Sequence, residues 1–270
     1  MLLVNVFRPS TSSYFLNEPA LDGVTTVYLP TDEDALTCLF IGTDNTGEEA
    51  STFILVRFDP AGGKIPVIVF PKETAVLNNG KYQPIDEVFR FGGSLVVREA
   101  LAVTLGVDID RYVRMRRDAF ITAAGAVGSV EFDLPTELTL DRSGTKMVLS
   151  PGKQLLDGQQ AAEIIGSGAY KNGERERCRV TGELTSAIIN QRMDICLSTV
   201  VDGVFEKIIN IIATDITNPD YANRKPAAEY LARMQQNPAC AIEAAGAYDS
   251  DGETFSLSDT FLARISQELQ

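Results

Sequence analysis

The sequence predicts an α/β fold, with a mixed central β-sheet layered between α-helices. Three observations lead there. Short apolar runs bounded by turn residues crowd into residues 36–70; segments with helical spacing interleave with further strand-like runs up to residue 148; helix-period stretches dominate the C-terminal half. Strands concentrated early, with helices between and after them, suit a sheet covered by helices. Residues 1–35 form an N-terminal arm whose stretch from residue 8 is rich in Pro, Ser, Thr and Asp. With no repeat, low-complexity tract or clean linker, residues 36–270 are expected to make a single domain.

The elements come in order. Leu36–Gly42 is an apolar run ended by glycine, and Thr52–Phe58 is a second strand. Asp59-Pro60-Ala61-Gly62-Gly63-Lys64 has turn chemistry, so Ile65–Phe70 pairs with the second strand as a hairpin. Pro66 suggests an edge strand or a strand start. A helix opens at Gly92-Gly93-Ser94, with Ser94 a candidate N-cap, and stops at Gly106. Tyr112–Met115 reads as a strand. Asp118 is a candidate cap for a helix over Ala119–Val127, ended by Gly128. Val130–Leu134 alternates, and Leu138–Val148 holds a hairpin turning at Arg142-Ser143-Gly144. Further helices are expected at Asp157–Ile165, Glu176–Met193, Phe205–Ile212, Pro226–Met234 and Ser258–Leu269.

Composition excludes several chemistries. There are 24 basic and 37 acidic residues, a net charge of -13, which repels nucleic acid. Histidine is absent, which removes Ser–His and Cys–His nucleophile pairs and His-ligated zinc. Cys38, Cys178, Cys196 and Cys240 are scattered without a CxxC pair and are expected to be buried free thiols. P-loop, dinucleotide and nucleophile-elbow patterns are missing. No apolar window is long enough to span a membrane. Met1–Phe7 reads either as a plain strand or as the trimmed end of an anchor.

Four segments resemble the LytR–CpsA–Psr (LCP) family. Phe40-Ile41-Gly42-Thr43-Asp44, followed by the strand TFILVRFDP, is similar to the family's strand–Gly-x-Asp–loop–strand pattern. Val69-Phe70-Pro71-Lys72-Glu73-Thr74-Ala75-Val76 resembles its "IPRDTYV". Residues 92–135 follow its rhythm of paired glycines, helix, "LGI-ID-YV" and a "GGV-V-VP" ending. Leu156-Asp157-Gly158-Gln159-Gln160-Ala161 is similar to "LNGEQAL". A fifth, shorter likeness is Ala213-Thr214-Asp215-Ile216-Thr217.

The resemblance implies an extracytoplasmic, membrane-proximal cell-envelope protein, with an anchoring helix possible upstream. Its partners would be a polyprenyl-(pyro)phosphate lipid or glycopolymer, and peptidoglycan as a possible acceptor. The implied reaction is phosphotransfer, needing arginines for the pyrophosphate, carboxylates for Mg²⁺ and an apolar pocket for the lipid. By position it implies Asp44 as catalytic and metal-binding, Lys72, Glu73 and Arg175 as catalytic, and Arg177 and Arg179 as headgroup ligands. The departures are several. Thr46 and Ser51 stand where the family has arginine and aspartate, and Lys72-Glu73 replaces Arg-Asp. Gly166-Ser167-Gly168 replaces "RSR", removing two arginines. The family's next motif, "D-x-x-R", fits two registers, Asn172/Arg175 or Gly173/Glu176. A site that binds lipid but has lost efficient chemistry is therefore expected, ahead of an active Mg-dependent phosphotransferase and of a regulator of envelope genes. Arg114, Arg116 and Arg117 form a second basic cluster, either partners for the many acids or a compensating phosphate site.

Overall fold

The computed structural model describes residues 28–142, 145–193 and 208–269. Its centre is a six-stranded mixed sheet in the order β11-β6-β1-β2-β3-β12. The strands are β1 (Leu36–Thr43), β2 (Ala50–Phe58), β3 (Ile65–Phe70), β6 (Arg111–Arg116), β11 (Ala213–Thr214) and β12 (Ala239–Glu243). β1, β2 and β3 form an antiparallel meander, while β6 joins β1 and β12 joins β3 in parallel. One end of the sheet therefore collects the carboxyl ends of β1, β3, β6 and β12 beside the start of β2.

Alternation sorts side chains onto two faces. Ile54, Val56 and Phe58 of β2, with Val67, Val69, Val113 and Met115, face one core. Phe53 and Leu55, with Leu39, Ile41, Ile68 and Phe70, face the other. The first core packs under α2 (Arg117–Val127), α4 (Gly173–Met193) and α6 (Lys225–Met234), and the second under α1 (Ile85–Leu105) and α7 (Asp259–Glu268). A third cluster joins α4 and α3 (Gly158–Gly166) to the ribbons β7 (Val130–Leu134), β8 (Leu138–Arg142), β9 (Thr145–Leu149) and β10 (Gly152–Leu156). This is the expected sheet layered between helices.

The expected caps hold in part. Gly106 ends α1 in the left-handed region at φ 66°, and Asp157 caps α3 by accepting from the Gln159 and Gln160 N–H groups. Helical structure begins earlier than expected, at Ile85. Gly93, at φ 71° and ψ -168°, breaks α1 into two segments, so Ser94 starts only the second. α2 begins at Arg117, with Arg116 rather than Asp118 as the residue before it. β3 is an interior strand, and Pro66 sits near its start.

Several elements were not expected. These are the hairpin β4 (Ala75–Asn78) with β5 (Lys81–Pro84), β10, β11, β12, the pair β13 (Gly246–Tyr248) with β14 (Phe255–Leu257), and the short helix α5 (Asn218–Ala222). Cys38 and Cys178 are buried free thiols, whereas Cys240 is exposed. Cys196 and the tip of the 142–144 turn lie outside the described residues, as do residues 205–207 of the expected helix over Phe205–Ile212; beyond them helical backbone ends by residue 210. Among the described residues no helix is long and apolar enough to cross a membrane.

Candidate functional site

A cavity of about 350 Å³ opens where β1, β2 and β6 meet α2, α3 and α4. Its walls are apolar: Ile54, Val113 and Met115 from the sheet face Phe120 of α2, Ile165 of α3 and Ile188 of α4. Gly42, Ala162 and Gly166 are among the small residues that line it. Polar residues gather on the β1–β2 side, where Asp44, Glu49, Ser51 and Thr52 line it together with Arg117. Among the described lining residues Arg117 is the one cation.

Asp44 follows β1 and organises the loop to β2. Its Oδ2 accepts from the Thr46 hydroxyl at 2.6 Å, and its Oδ1 accepts from the N–H groups of Gly47, Glu48 and Glu49 at 2.9–3.3 Å. The Thr46 hydroxyl, helped by these backbone donors, holds the carboxyl below the usual aspartate range.

Arg177 of α4 lies just behind the cavity wall and is 5% exposed. Its Nη2 donates to the Ser51 carbonyl at 2.7 Å, and its Nη1 donates to the Ile165 carbonyl at 2.8 Å and to Thr52 Oγ1 at 3.3 Å. Its Nε and Nη2 also donate to Glu174. All three nitrogens are engaged, and together they fasten β2, α3 and α4. Arg117 differs. Its Nη2 pairs with Glu163 of α3, while no hydrogen bond of Nε or Nη1 is found among the described residues.

The other expected site residues lie elsewhere around this end of the sheet. Lys72 and Glu73 follow β3 as a pair 3.8 Å apart, and Glu73 Oε2 accepts from the Tyr248 hydroxyl at 3.2 Å. Burial, followed by the Glu73 charge, pushes the Tyr248 phenol up. Arg175 bridges to Glu243 at the end of β12 at 3.1 Å, and Arg179 pairs with Glu183 one turn along α4 at 2.7 Å. Both therefore lie on the β12 side of α4, outside the cavity lining. Of the six residues that the resemblance assigns, Asp44 lines the cavity; from the second basic cluster Arg117 lines it as well.

Among the described lining residues the carboxylates are Asp44 and Glu49, a donor set that would hold Mg²⁺ only together with substrate phosphates. Such a site needs converging oxygens, usually one or two carboxylates with substrate phosphates. Among the described residues Asp44 Oδ2 accepts from the Thr46 hydroxyl alone and keeps a lone pair for such an ion, while no group of three possible metal-ligating side chains occurs.

An α/β layer with a largely apolar cavity at the end of its sheet and a few charged groups in its lining has the form of a small-molecule site. The chain belongs to the LytR_cpsA_psr family, whose model matches residues 11–254. It is 23% identical over 205 residues to an uncharacterised Staphylococcus aureus protein, covering 70% of this chain and 50% of that one. It is 20% identical over 192 residues to the Bacillus subtilis polyisoprenyl-teichoic acid–peptidoglycan teichoic acid transferase TagU, covering 68% of this chain and 61% of TagU. The crystal structure of B. subtilis TagV matches with a TM-score of 0.71 at 20% identity, covering 89% of this chain and 97% of that one. At such identity the structural likeness establishes the fold. The chain spans between half and two thirds of the length of the two sequence relatives.

Proposed function

We propose that this chain binds a polyprenyl-(pyro)phosphate lipid, or the glycopolymer attached to one, at the cell envelope outside the cytoplasm, and that its phosphotransfer chemistry is weak or lost. The observation that carries this reading is the apolar cavity between the sheet and α2, α3 and α4, with its charged groups on one side. A hydrocarbon chain leaving water for such a cavity gains about 25 cal/mol per Å² of apolar surface buried. The family membership and the name of the relative TagU support a polyprenyl lipid as the amphiphile.

The loss of chemistry is argued from the surroundings of the charged groups. Arg177 is fully engaged by protein acceptors, and Arg175 and Arg179 pair with carboxylates outside the cavity. A second reading, an active transferase joining glycopolymer to peptidoglycan, is favoured by the activity in TagU's name. Regulation by direct DNA contact is opposed by the net charge of -13.

The test has two arms. Purified protein is titrated with a fluorescent polyprenyl phosphate, and separately incubated with a polyprenyl-pyrophosphate-linked sugar and Mg²⁺ or Mn²⁺. Saturable binding without release of polyprenyl phosphate is the expected result. Absence of binding removes the cavity reading, and multiple metal-dependent turnovers replace the degenerate reading with the active one.

A further inference from the structure

Among the cavity's described lining residues there is one cation, and among the described residues only its Nη2 has a hydrogen-bond acceptor. Arg117 opens α2, sits among the lining residues and is about one third exposed, its side chain retaining 36% of its accessible surface. A guanidinium offers five N–H donors in a planar fork. Arg117 directs Nη2 to Glu163, a side chain with 12% of its surface accessible, and leaves the donors on Nε and Nη1 without an acceptor among the described residues. Arg177, by contrast, bonds through all three nitrogens. Of these two guanidiniums, Arg117 alone lines the cavity and keeps donors without an acceptor among the described residues.

A second observation concerns the space that Arg117 fills. Residue 166 is glycine where the resemblance expects the first arginine of "RSR". A Cβ placed on Gly166 would lie 3.0 Å from Arg117 Nη1. The guanidinium of Arg117 thus occupies the ground into which a side chain at position 166 would grow. Arg117 and Gly166 are a matched pair: the glycine makes room, and the arginine brings charge to the same place from a different element.

We propose that Arg117 is the headgroup anchor of this cavity, gripping the anionic phosphate of the lipid whose chain lies against Ile54, Met115, Phe120 and Ile188. The proposal rests on the lipid-binding reading above and adds the residue that selects a charged head. Glu163 orients the guanidinium by holding Nη2, leaving an Nη1 donor to meet a phosphate oxygen.

The test compares three ligands in the same detergent: a polyprenyl monophosphate, the polyprenol of equal chain length, and inorganic phosphate. Wild-type protein is expected to prefer the lipid phosphate over the alcohol. Arg117→Gln is expected to weaken the lipid phosphate about 10- to 100-fold, the usual effect of losing a charged hydrogen bond, and to leave polyprenol binding unchanged. Adding Gly166→Arg to Arg117→Gln is expected to restore the preference. If Arg117→Gln fails to fold because Glu163 is left unpaired, the double variant Arg117→Gln, Glu163→Gln answers the same question. An Arg117 variant that binds lipid phosphate as tightly as wild type overturns the anchor while the cavity reading stands. Wild-type protein that binds neither lipid overturns both. Inorganic phosphate bound as tightly as the lipid would reassign Arg117 to a free anion and overturn the headgroup role.

Discussion

Two arginines close to one cavity take opposite roles because of what their neighbours offer. Arg177 emerges from α4 beneath the start of β2, where the Ser51 and Ile165 carbonyls need donors, and its charge is matched by Glu174. Burial alone would lower the affinity of Arg177 for its proton, but the hydrogen bond and charge of Glu174 outweigh it, so the group stays cationic. Removing it strips a carboxylate and two carbonyls of their partners in a place water barely reaches. Arg177→Ala should therefore destabilise the fold by about 3 kcal/mol, the scale of breaking a buried ion pair, read from urea unfolding midpoints. Arg177→Lys should recover little, since one ammonium cannot reach Ser51, Ile165 and Glu174 together. A loss under about 0.5 kcal/mol, typical of an exposed surface change, would show that Arg177 is not the fastening described.

At the scale of the element, α1 shows how a local backbone demand places a helix against the sheet. Gly93 adopts φ 71° and ψ -168°, a conformation open essentially to glycine, and redirects the chain between two helical segments. Val88 and Phe89 before it and Val97 and Leu101 after it reach the same core. Gly93→Ala should cost about 1–3 kcal/mol, measured by chemical denaturation, although a Cβ there would meet nothing within 4 Å. Equal stability of the variant would mean that the break tolerates a side chain. The paired glycines are legible in the sequence as a helix start, but the helix before them is not, because Ile85–Phe91 is too short for a clear period. The unexpected hairpin of β4 and β5 does carry a readable signal in Asn79-Gly80, both with positive φ. β12 is not readable, since Ala239–Glu243 has little strand character and is defined by its parallel partner β3. The site is legible in type more than in place. Spacing on α4 puts Arg177 on a different face from Arg175 and Arg179, yet only packing decides which face turns inward. Arg117 stands out in the sequence as part of a basic cluster, but its direction depends on α2 starting at residue 117 rather than at 119.

For the whole molecule, the decisive feature is that one face of the sheet is not fully packed. Interiors normally close to crystal-like density, and on the other face Phe53, Phe70, Val97 and Phe261 are buried in one cluster. On the cavity side, between the sheet and α2, α3 and α4, about 350 Å³ is left, bordered by the small side chain of Ala162. A void lined by Ile54, Met115, Phe120 and Ile188 forgoes dispersion contacts in the free protein, and an apolar guest returns them. Ligand and fold stability should therefore be linked. At 100 times its dissociation constant, a bound lipid should add about 2.7 kcal/mol, raising the melting temperature by roughly 5–10 °C for a chain of this size. Ala162→Phe separates this linkage from general damage. Ala162 is buried on α3 and borders the void, so a ring at that position enters empty space rather than packed neighbours. The variant should melt within a few degrees of wild type without ligand, or higher, and should lose the lipid-induced shift. A variant that still gains the full shift would place the lipid elsewhere, because one volume cannot hold both the ring and the chain.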